Sequence, residues 1–335
     1  AFLLKTFKTF NMRHLTKTLS ILAGAIILLT SCDKDQDSNN TNSVNPEVPS
    51  NNMQAIQSYF LNNMENTKQS FTIDASSGGS LTSSSGSQIT FSGNSFIDGM
   101  GQEVTGNITI EFIEIFDKSD MLRLNKPTMG VLPNGAQRPL VSGGEFQIKA
   151  FQNGTELSLK AGSTYSLVSN APAGIANPDM QLFYGQEDGD TLTWFSQDTL
   201  SNVGVFAEGN QYYSYLDSLN WINCDYFMNY NGPLTTVSAE LPSGFTNNNA
   251  MLFMSFDGLN SITQIYGFEN NAFTTGPYYE VPVGTEVHFI AVTIINDQPH
   301  TAIVGATISD GHLEIMPELT QTTDAQLAAD ILDLP

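Results

Sequence analysis

The chain has 335 residues, of which 12 are Lys or Arg and 34 are Asp or Glu, for a formal net charge of −22. A field of this sign repels nucleic acids and anionic membrane surfaces, which excludes nucleic-acid binding as a function. Two cysteines in a chain of this length exclude a disulfide-rich scaffold, so stability has to come from packing.

An apolar run at residues 19–29 is the first recognisable segment. It is too short to span a bilayer, which takes about 20 apolar residues. Basic side chains precede it and small residues follow it, so it predicts a secretory signal. Met12 is interpreted as the start of translation and residues 1–11 as an upstream extension. We therefore expect residues 1–31 to be removed from the mature protein.

The signal ends in Leu29-Thr30-Ser31-Cys32, and Asp33-Lys34-Asp35-Gln36-Asp37 follows. The first string resembles the lipobox of bacterial lipoproteins, whose cysteine is acylated with palmitate-type chains. The second resembles the acidic export tag of Bacteroidota-type surface lipoproteins. The resemblance implies a lipid anchor on Cys32 in the outer membrane, with the protein facing the cell surface. Asp33 also resembles the inner-membrane retention signal of enterobacterial lipoproteins, so the orientation stays open.

The excess of acidic over basic residues is larger when the signal is left out. Four of the 12 basic residues and no acidic ones precede Cys32, so 8 basic and 34 acidic side chains remain, a net charge of −26. One interpretation is a solvated acidic surface suited to a salty medium, in which a Debye length of about 8 Å or less screens self-repulsion. The other is Ca²⁺ binding by clustered carboxylates. The candidate loop, Gln186-Glu187-Asp188-Gly189-Asp190, lacks the closing glutamate of an EF-hand, which favours a solvated turn. No other cofactor is predicted.

Hydrophobic patterning predicts an all-β protein built from two tandem antiparallel β-sandwich-like domains with short flanking helices. Residues 32–52 contain almost no apolar side chains and are expected to form a disordered tether. The first domain is predicted at 53–172, opening with a short helix over 53–64, and the second at 178–335. Pro172, Gly174 and Pro178 mark the joint between them.

In the first domain, apolar residues recur with period two between turn residues, as in short antiparallel strands. Residues 145–150 alternate between polar and apolar, which predicts one buried and one solvent-facing side. Turns are expected at four pairs: Asp98-Gly99, Asn134-Gly135, Gly143-Gly144 and Asn153-Gly154.

Four strings of this region carry a further resemblance: Gly78-Gly79, Ile89-Thr90-Phe91-Ser92-Gly93-Asn94-Ser95-Phe96, Gly106-Asn107-Ile108-Thr109-Ile110 and Ser142-Gly143-Gly144. Together they resemble the ZU5-like β-sandwich module of secreted bacterial lipoproteins, over about residues 70–170. The resemblance implies a role in interaction or scaffolding.

The second half contains two continuous apolar runs, 251–256 and 287–295, which predict strands buried on both faces. A turn at 296–299 is expected to start a meander through 301–308 and 313–315. Thr323 followed by Gln326 has the form of a capping box, which predicts a closing helix over 324–332.

Seven aromatic residues lie between positions 212 and 230. Aromatic rings form stacking platforms for sugars because each presents a flat apolar face, but the same residues also fill β-sandwich cores. Both interpretations stay open. The candidate ligand platform consists of Tyr212, Tyr213, Tyr215, Trp221 and Tyr230.

Three Asp-Thr-Leu or Asp-Ser-Leu strings resemble the O-glycosylation sequon of exported Bacteroidota proteins. The resemblance implies Thr191, Thr199 and Ser218 as acceptors.

His288, His300 and His312 lie among carboxylates, a combination used by zinc sites. Their spacing of 12 residues matches no metal motif, so no metal site is predicted.

Cys224 has no basic residue or histidine near it in sequence, which favours a buried structural cysteine over a catalytic one.

The sequence contains no nucleophile elbow, P-loop, dinucleotide fingerprint or paired-histidine zinc helix. We therefore expect a non-catalytic surface module for adhesion or for binding a protein or glycan partner. Two alternatives stay open. One is a structural accessory subunit of an outer-membrane assembly, and the other is a hydrolase with two carboxylates roughly 5–10 Å apart in a cleft.

Overall fold

The computed structural model describes residues 48–49, 51–189, 191–197 and 203–335. Within them the chain is mostly β-strand, with three helices: α1 (Met53–Thr67), α2 (Lys118–Arg123) and α3 (Asp324–Leu332). The predicted all-β class with short flanking helices is confirmed. The signal, Cys32 and nearly all of the tether lie outside the described residues.

Fifteen described strands fill the chain from Gln69 to Phe227. They are β1 (Gln69–Asp74), β2 (Gly78–Thr82), β3 (Gln88–Ser92), β4 (Phe96–Ile97), β5 (Asn107–Ile115), β6 (Met129–Val131), β7 (Gln137–Gln152), β8 (Thr155–Glu156), β9 (Ser158–Leu159), β10 (Tyr165–Asn170), β11 (Gln181–Asp188), β12 (Thr191–Ser196), β13 (Gly204–Glu208), β14 (Gln211–Leu216) and β15 (Asn220–Phe227). Thirteen of them form one sheet, ordered β13-β14-β10-β3-β2-β1-β5-β7-β15-β11-β12-β6, with β8 beside β7. β4 pairs with β9.

This large sheet curves around its own core. Phe91 of β3 and Leu167 of β10 share one hydrophobic cluster with Phe146 of β7 and Ile222 of β15. Leu167 of β10 and Leu216 of β14 also line one small cavity with Phe146 and Ile222, although their strands lie several positions apart in the sheet order, so the sheet bends back on itself. Strong twist and curvature are usual in antiparallel sheets of this width.

The predicted joint at residues 171–178 does not divide two domains, and the predicted boundary is corrected. β10, before the joint, pairs along its whole length with β14, after it. β7 likewise pairs with β15. Strands that follow the joint thus complete the sheet begun before it, and the boundary between the two β-layered parts falls after β15. A Pro- and Gly-containing loop inside a sheet has the same composition as a linker, which is why the sequence pattern misplaced it.

The predicted turn at Gly143-Gly144 is wrong, because both residues lie inside the 16-residue strand β7. They stand together opposite the single residue Cys224, in a β-bulge. Gly144 has a φ of 138°, and a Cβ on Gly143 would lie 2.9 Å from the carbonyl oxygen of Cys224. Both positions therefore require glycine, for a bulge rather than for a turn.

The predicted solvent-facing side of β7 is also corrected. Glu145 is fully buried and Gln147 is 8% exposed. Their neighbours on β5, Ile113 and Ile115, belong to a second hydrophobic cluster that also contains residues of all three helices. A strand with period-two polarity is normally half exposed, but here other elements cover the polar face.

The C-terminal part, from Leu234 to Gln321, is a second β-layered structure. Its strands are β16 (Leu234–Thr235), β17 (Ser238–Glu240), β18 (Met251–Phe256), β19 (Ile262–Gln264), β20 (Gly267–Glu269), β21 (Ala272–Thr274), β22 (Val281–Pro282), β23 (Glu286–Ile295), β24 (Gln298–Thr307), β25 (Leu313–Ile315) and β26 (Thr320–Gln321). They form sheets ordered β19-β18-β23-β24-β26 and β20-β21-β17-β25, with β16 beside β22. A third core lies between the two larger sheets.

The two long apolar runs are confirmed as strands buried on both faces, β18 and β23. Leu252 and Phe289 pack into the third core, whereas Phe253 and Ile290 pack into the second cluster. β23 and β24 form the predicted hairpin. β25 corrects the predicted meander, because it pairs in parallel with β17 in the other sheet.

The second cluster joins the two β-layered parts through the helices. Ile56 and Phe60 of α1 pack with Leu327 and Ile331 of α3 and with side chains of both sheets. The predicted cap of α3 is confirmed, since Thr323 Oγ1 accepts a hydrogen bond from the backbone N–H of Gln326 at 3.1 Å.

Candidate functional site

An exposed sheet surface spans five strands of the large sheet, and we call it the aromatic face. Cross-strand register places its residues in two rows. One row is Gly204, Tyr215, Ser166, Thr90 and Ser80, and the other is Phe206, Tyr213, Val168, Gln88 and Thr82. Neither row contains a charged side chain, although the exposed Glu208 borders the second row two residues beyond Phe206 on β13. Four strand spacings of about 4.8 Å give the face a width of about 19 Å.

Three rings at the β13 edge give this face its apolar character. Phe206 is 58% exposed and Tyr215 is 46% exposed, and their ring centroids lie 6.0 Å apart with planes at 68°. Gly204 lies directly across from Tyr215 and has no side chain to cover its ring. Tyr213 is half-buried beside Phe206. Exposed apolar groups gathered in this way are typical of a contact surface.

Hydroxyl groups continue the aromatic face across β10, β3 and β2. Ser80 and Thr90 are exposed and their side-chain oxygens lie 2.8 Å apart. Such groups both donate and accept hydrogen bonds. The face therefore combines flat rings at one end with uncharged hydrogen-bonding groups along the rest.

The structure divides the predicted ligand platform. Tyr213 and Tyr215 lie on the aromatic face, but Tyr212 and Trp221 are buried, with exposures of 2% and 1%. Tyr230 lies elsewhere, with its ring against the Arg138 guanidinium at 4.6 Å and its hydroxyl donating to the Glu280 carbonyl. Neighbouring residues on a strand point to opposite faces of the sheet, so aromatic residues that are adjacent in sequence divide into a buried and an exposed group.

The predicted ligand platform does not include Phe206, although the sequence contains a pattern that places it beside Tyr213. Gly209-Asn210 separates two runs of alternating residues, which is a hairpin pattern. Its register, Phe206 opposite Tyr213, places the two rings side by side.

A charged cleft of about 360 Å³ lies beside α1. It is lined by three lysines and three glutamates, Lys68, Lys126, Lys149, Glu65, Glu111 and Glu187. Lys68 pairs with two of the glutamates, at 2.8 and 3.4 Å. The ion pairs neutralise the cleft internally, and this arrangement favours a structural role for its charges.

Lys126 and Glu187 form the inner end of the cleft. Their Nζ and Oε1 atoms lie 3.0 Å apart, the ammonium stands 4.9 Å from the centre of a Trp221 ring, and Trp221 Nε1 donates to Glu187 at 2.9 Å. Burial alone would raise the pKa of Glu187, but Lys126 and the Trp221 hydrogen bond outweigh it and hold that pKa below its usual value. A carboxyl of this kind is a poor general acid.

Glu145 of β7 and Asp225 of β15 are two interacting carboxyl groups inside the protein, and we call them the buried acid pair. Both are 0% exposed. Burial raises the pKa of each well above its usual range, and the charge of Asp225 raises that of Glu145 further. A hydrolase pair has to meet its substrate in a cleft, so the buried acid pair does not provide the hydrolase site considered above.

The remaining predicted site residues are dispersed. Thr191 opens β12 and is half-buried, Ser218 is exposed in the loop before β15, and Thr199 lies outside the described residues. Of the Ca²⁺-like loop, Glu187 is ion-paired and Asp190 is not described. Cys224 is buried, as predicted, and burial raises the pKa of its thiol, which makes it a poor nucleophile.

The three histidines have separate environments. His288 Nδ1 lies 2.7 Å from Asp257 Oδ1, His300 Nδ1 lies 3.1 Å from the Gln298 carbonyl oxygen, and His312 stacks on Phe289. Over the part of the chain that the structure describes, no three His, Cys, Asp or Glu side chains are grouped to hold a metal ion.

Comparison of the sequence with protein-family models gives no match, and no curated protein shows a significant match. Among the described residues, no helix combines the length and hydrophobicity needed to cross a membrane.

Proposed function

We propose that this chain is a lipid-anchored surface protein that binds an extended, neutral glycan across the aromatic face. The anchor rests on Leu29-Thr30-Ser31-Cys32 and the acidic string after it. The observation that carries the ligand class is the pair of exposed rings, Phe206 and Tyr215, with the half-buried Tyr213 beside them, at the end of two uncharged, hydroxyl-bearing rows of the sheet.

The chemistry of the face matches that of a polysaccharide. A sugar ring has an apolar C–H face that packs on an aromatic ring, and hydroxyl groups around its edge that pair with Ser, Thr and Gln side chains. The net charge of −22 disfavours anionic polymers through repulsion. An uncharged face about 19 Å wide therefore favours a neutral chain of several sugar units.

Binding is tested by affinity electrophoresis of the soluble protein, without its signal and Cys32, through gels containing neutral polysaccharides such as β-glucan, xylan and mannan. We expect at least one to retard the wild type. Phe206→Ser and Tyr215→Ser should each weaken binding about two- to twelve-fold, from about 0.5–1.5 kcal/mol per aromatic contact. The matched control is Tyr278→Ser in the C-terminal part, because Tyr278 is 47% exposed.

Two outcomes would contradict the glycan proposal. One is equal retardation of the Phe206 variant, the Tyr215 variant and the control. The other is a change in oligomeric state of the two face variants with no retardation of the wild type in any gel, which would make the face a self-association surface.

The anchor is tested separately in cells by metabolic labelling with an alkynyl palmitate analogue. We expect Cys32→Ala to abolish labelling. Digestion of the C-terminal part by an impermeant protease in intact cells should distinguish surface exposure from a periplasmic orientation.

A further inference from the structure

Four oxygen-bearing side chains converge on the covered face of β7 and β15. Register pairs Ser142 with Asp225 and Glu145 with Asn223. Ser142 and Glu145 are three residues apart, a spacing that would normally place them on opposite faces of a strand. The bulge at Gly143 inserts the extra residue that brings both to the same face.

The carboxylate of Glu145 lacks hydrogen-bond partners, whereas that of Asp225 is partly satisfied. Both carboxylate oxygens of Glu145 and Oδ1 of Asp225 are buried and have no hydrogen-bond donor. Asp225 Oδ2 accepts a hydrogen bond from Asn223 Nδ2 at 2.6 Å, and Ser142 Oγ donates to Asn223 Oδ1 at 3.3 Å. Hydrogen bonding from the Ser142 hydroxyl and the Gly143 backbone N–H also favours the charged form of Asp225, so the need for a partner is greatest at Glu145, where both carboxylate oxygens lack one.

No described basic side chain forms an ion pair with Glu145. Lys126 is near enough to influence Glu145, but its ammonium is bonded to Glu187. A buried carboxylate without a partner is strongly unfavourable, and two side by side are worse, because they repel each other. The arrangement therefore calls for a positive charge that the chain itself does not supply.

We propose that the buried acid pair, together with Ser142 and Asn223, is a structural Ca²⁺ site. Carboxylate, amide and hydroxyl oxygens are the hard ligands that Ca²⁺ takes, and its flexible coordination accepts neutral oxygens and water beside two carboxylates. No histidine or cysteine side chain joins the group among the described residues, which disfavours zinc. The ion would brace β7 and β15 at the bulge. This site is independent of glycan binding.

The proposal is tested first on the wild type. After dialysis against EDTA, addition of Ca²⁺ at constant ionic strength should raise the Tm in a saturable way. Native mass spectrometry should then detect one bound ion per chain. The outcome that overturns the proposal is a Tm that does not change with Ca²⁺, with no ion bound, because the acid pair is then balanced by protons alone.

Variants locate the ion. Glu145→Gln and Asp225→Asn preserve side-chain shape, remove the unpaired charge, and should each weaken Ca²⁺ binding roughly ten-fold or more. The matched control, Asp188→Asn, lies in the Ca²⁺-like loop and should bind as the wild type does. Loss of binding in Asp188→Asn, or normal binding in both pair variants, places the ion elsewhere and overturns the proposal. If the pair variants do not fold, Tb³⁺ emission sensitised by tryptophan and displaced by Ca²⁺ is compared between the wild type and Asp188→Asn. Equal emission supports the buried site, whereas loss of emission in Asp188→Asn places the ion in the Ca²⁺-like loop and overturns the proposal.

Discussion

Asp324 at the start of α3 is the point where the three helices are tied together. Its carboxylate accepts hydrogen bonds from Tyr59 Oη at 2.5 Å, Asn63 Nδ2 at 3.3 Å and Arg123 Nε at 2.9 Å, and it forms a second contact with the Arg123 guanidinium. Tyr59 and Asn63 belong to α1, and Arg123 belongs to α2. We therefore expect Asp324→Asn to loosen the docking of α3.

The expected loss of stability depends on how far the ion pair between Arg123 and Asp324 is exposed to solvent. Breaking a fully buried ion pair costs about 3–5 kcal/mol, whereas an exposed pair contributes about 0–1 kcal/mol. The side chains of Arg123 and Asp324 are 20% and 39% exposed, so the pair lies between these limits. We expect Asp324→Asn to lower the free energy of unfolding by about 2 kcal/mol.

The assay is urea unfolding followed by tryptophan fluorescence, since Trp194 and Trp221 lie in the same hydrophobic cluster as the apolar side chains of α3. The matched control is Asp330→Asn in the same helix, where the carboxylate accepts a hydrogen bond from Gln326. The control should change stability by less than about 0.5 kcal/mol. Equal stabilities of the two variants would refute the reasoning.

The same interaction predicts a pH dependence. Burial alone would raise the pKa of Asp324, but the hydrogen bonds and charge of Arg123, with the Tyr59 hydroxyl, outweigh it and lower that pKa. A group whose pKa is lower in the folded state stabilises the protein above its unfolded value, about 3.9, and loses this contribution as pH falls through the folded value. The stability difference between wild type and Asp324→Asn should therefore shrink as pH falls below about 4.

Three further changes test other parts of the fold. Thr323→Ala removes the cap of α3 and should lower the free energy of unfolding by about 1 kcal/mol, measured by urea unfolding against Thr322→Ala. Gly143→Ala places a Cβ 2.9 Å from the Cys224 carbonyl oxygen and should cost about 1–3 kcal/mol; a Tm equal to that of the wild type would argue against the bulge. Trp221→Phe removes the hydrogen bond to Glu187 and leaves a gap, so calorimetry should find a loss of about 1–3 kcal/mol, and an unchanged Tm would contradict this packing.

The sequence by itself determined the elements whose signals are local. Thr323 and Gln326 marked the start of α3 because capping involves residues three positions apart. The apolar runs at 251–256 and 287–295 identified strands buried on both faces, because burial on two sides leaves no place for polar residues.

Tertiary structure alone decided how these strands are paired and covered. Gly143-Gly144 has the same composition in a turn as in a bulge, and its role depends on Cys224, which lies far along the chain. The sequence predicts that Glu145 faces solvent, because period-two alternation shows that a strand has a polar and an apolar side. It does not show whether another element covers the polar side. The aromatic face exists because the β13–β14 hairpin becomes the neighbour of β10, a long-range pairing that no local pattern records. The physical reason is that side-chain alternation is set by a residue's own strand, whereas exposure is set by what packs against it.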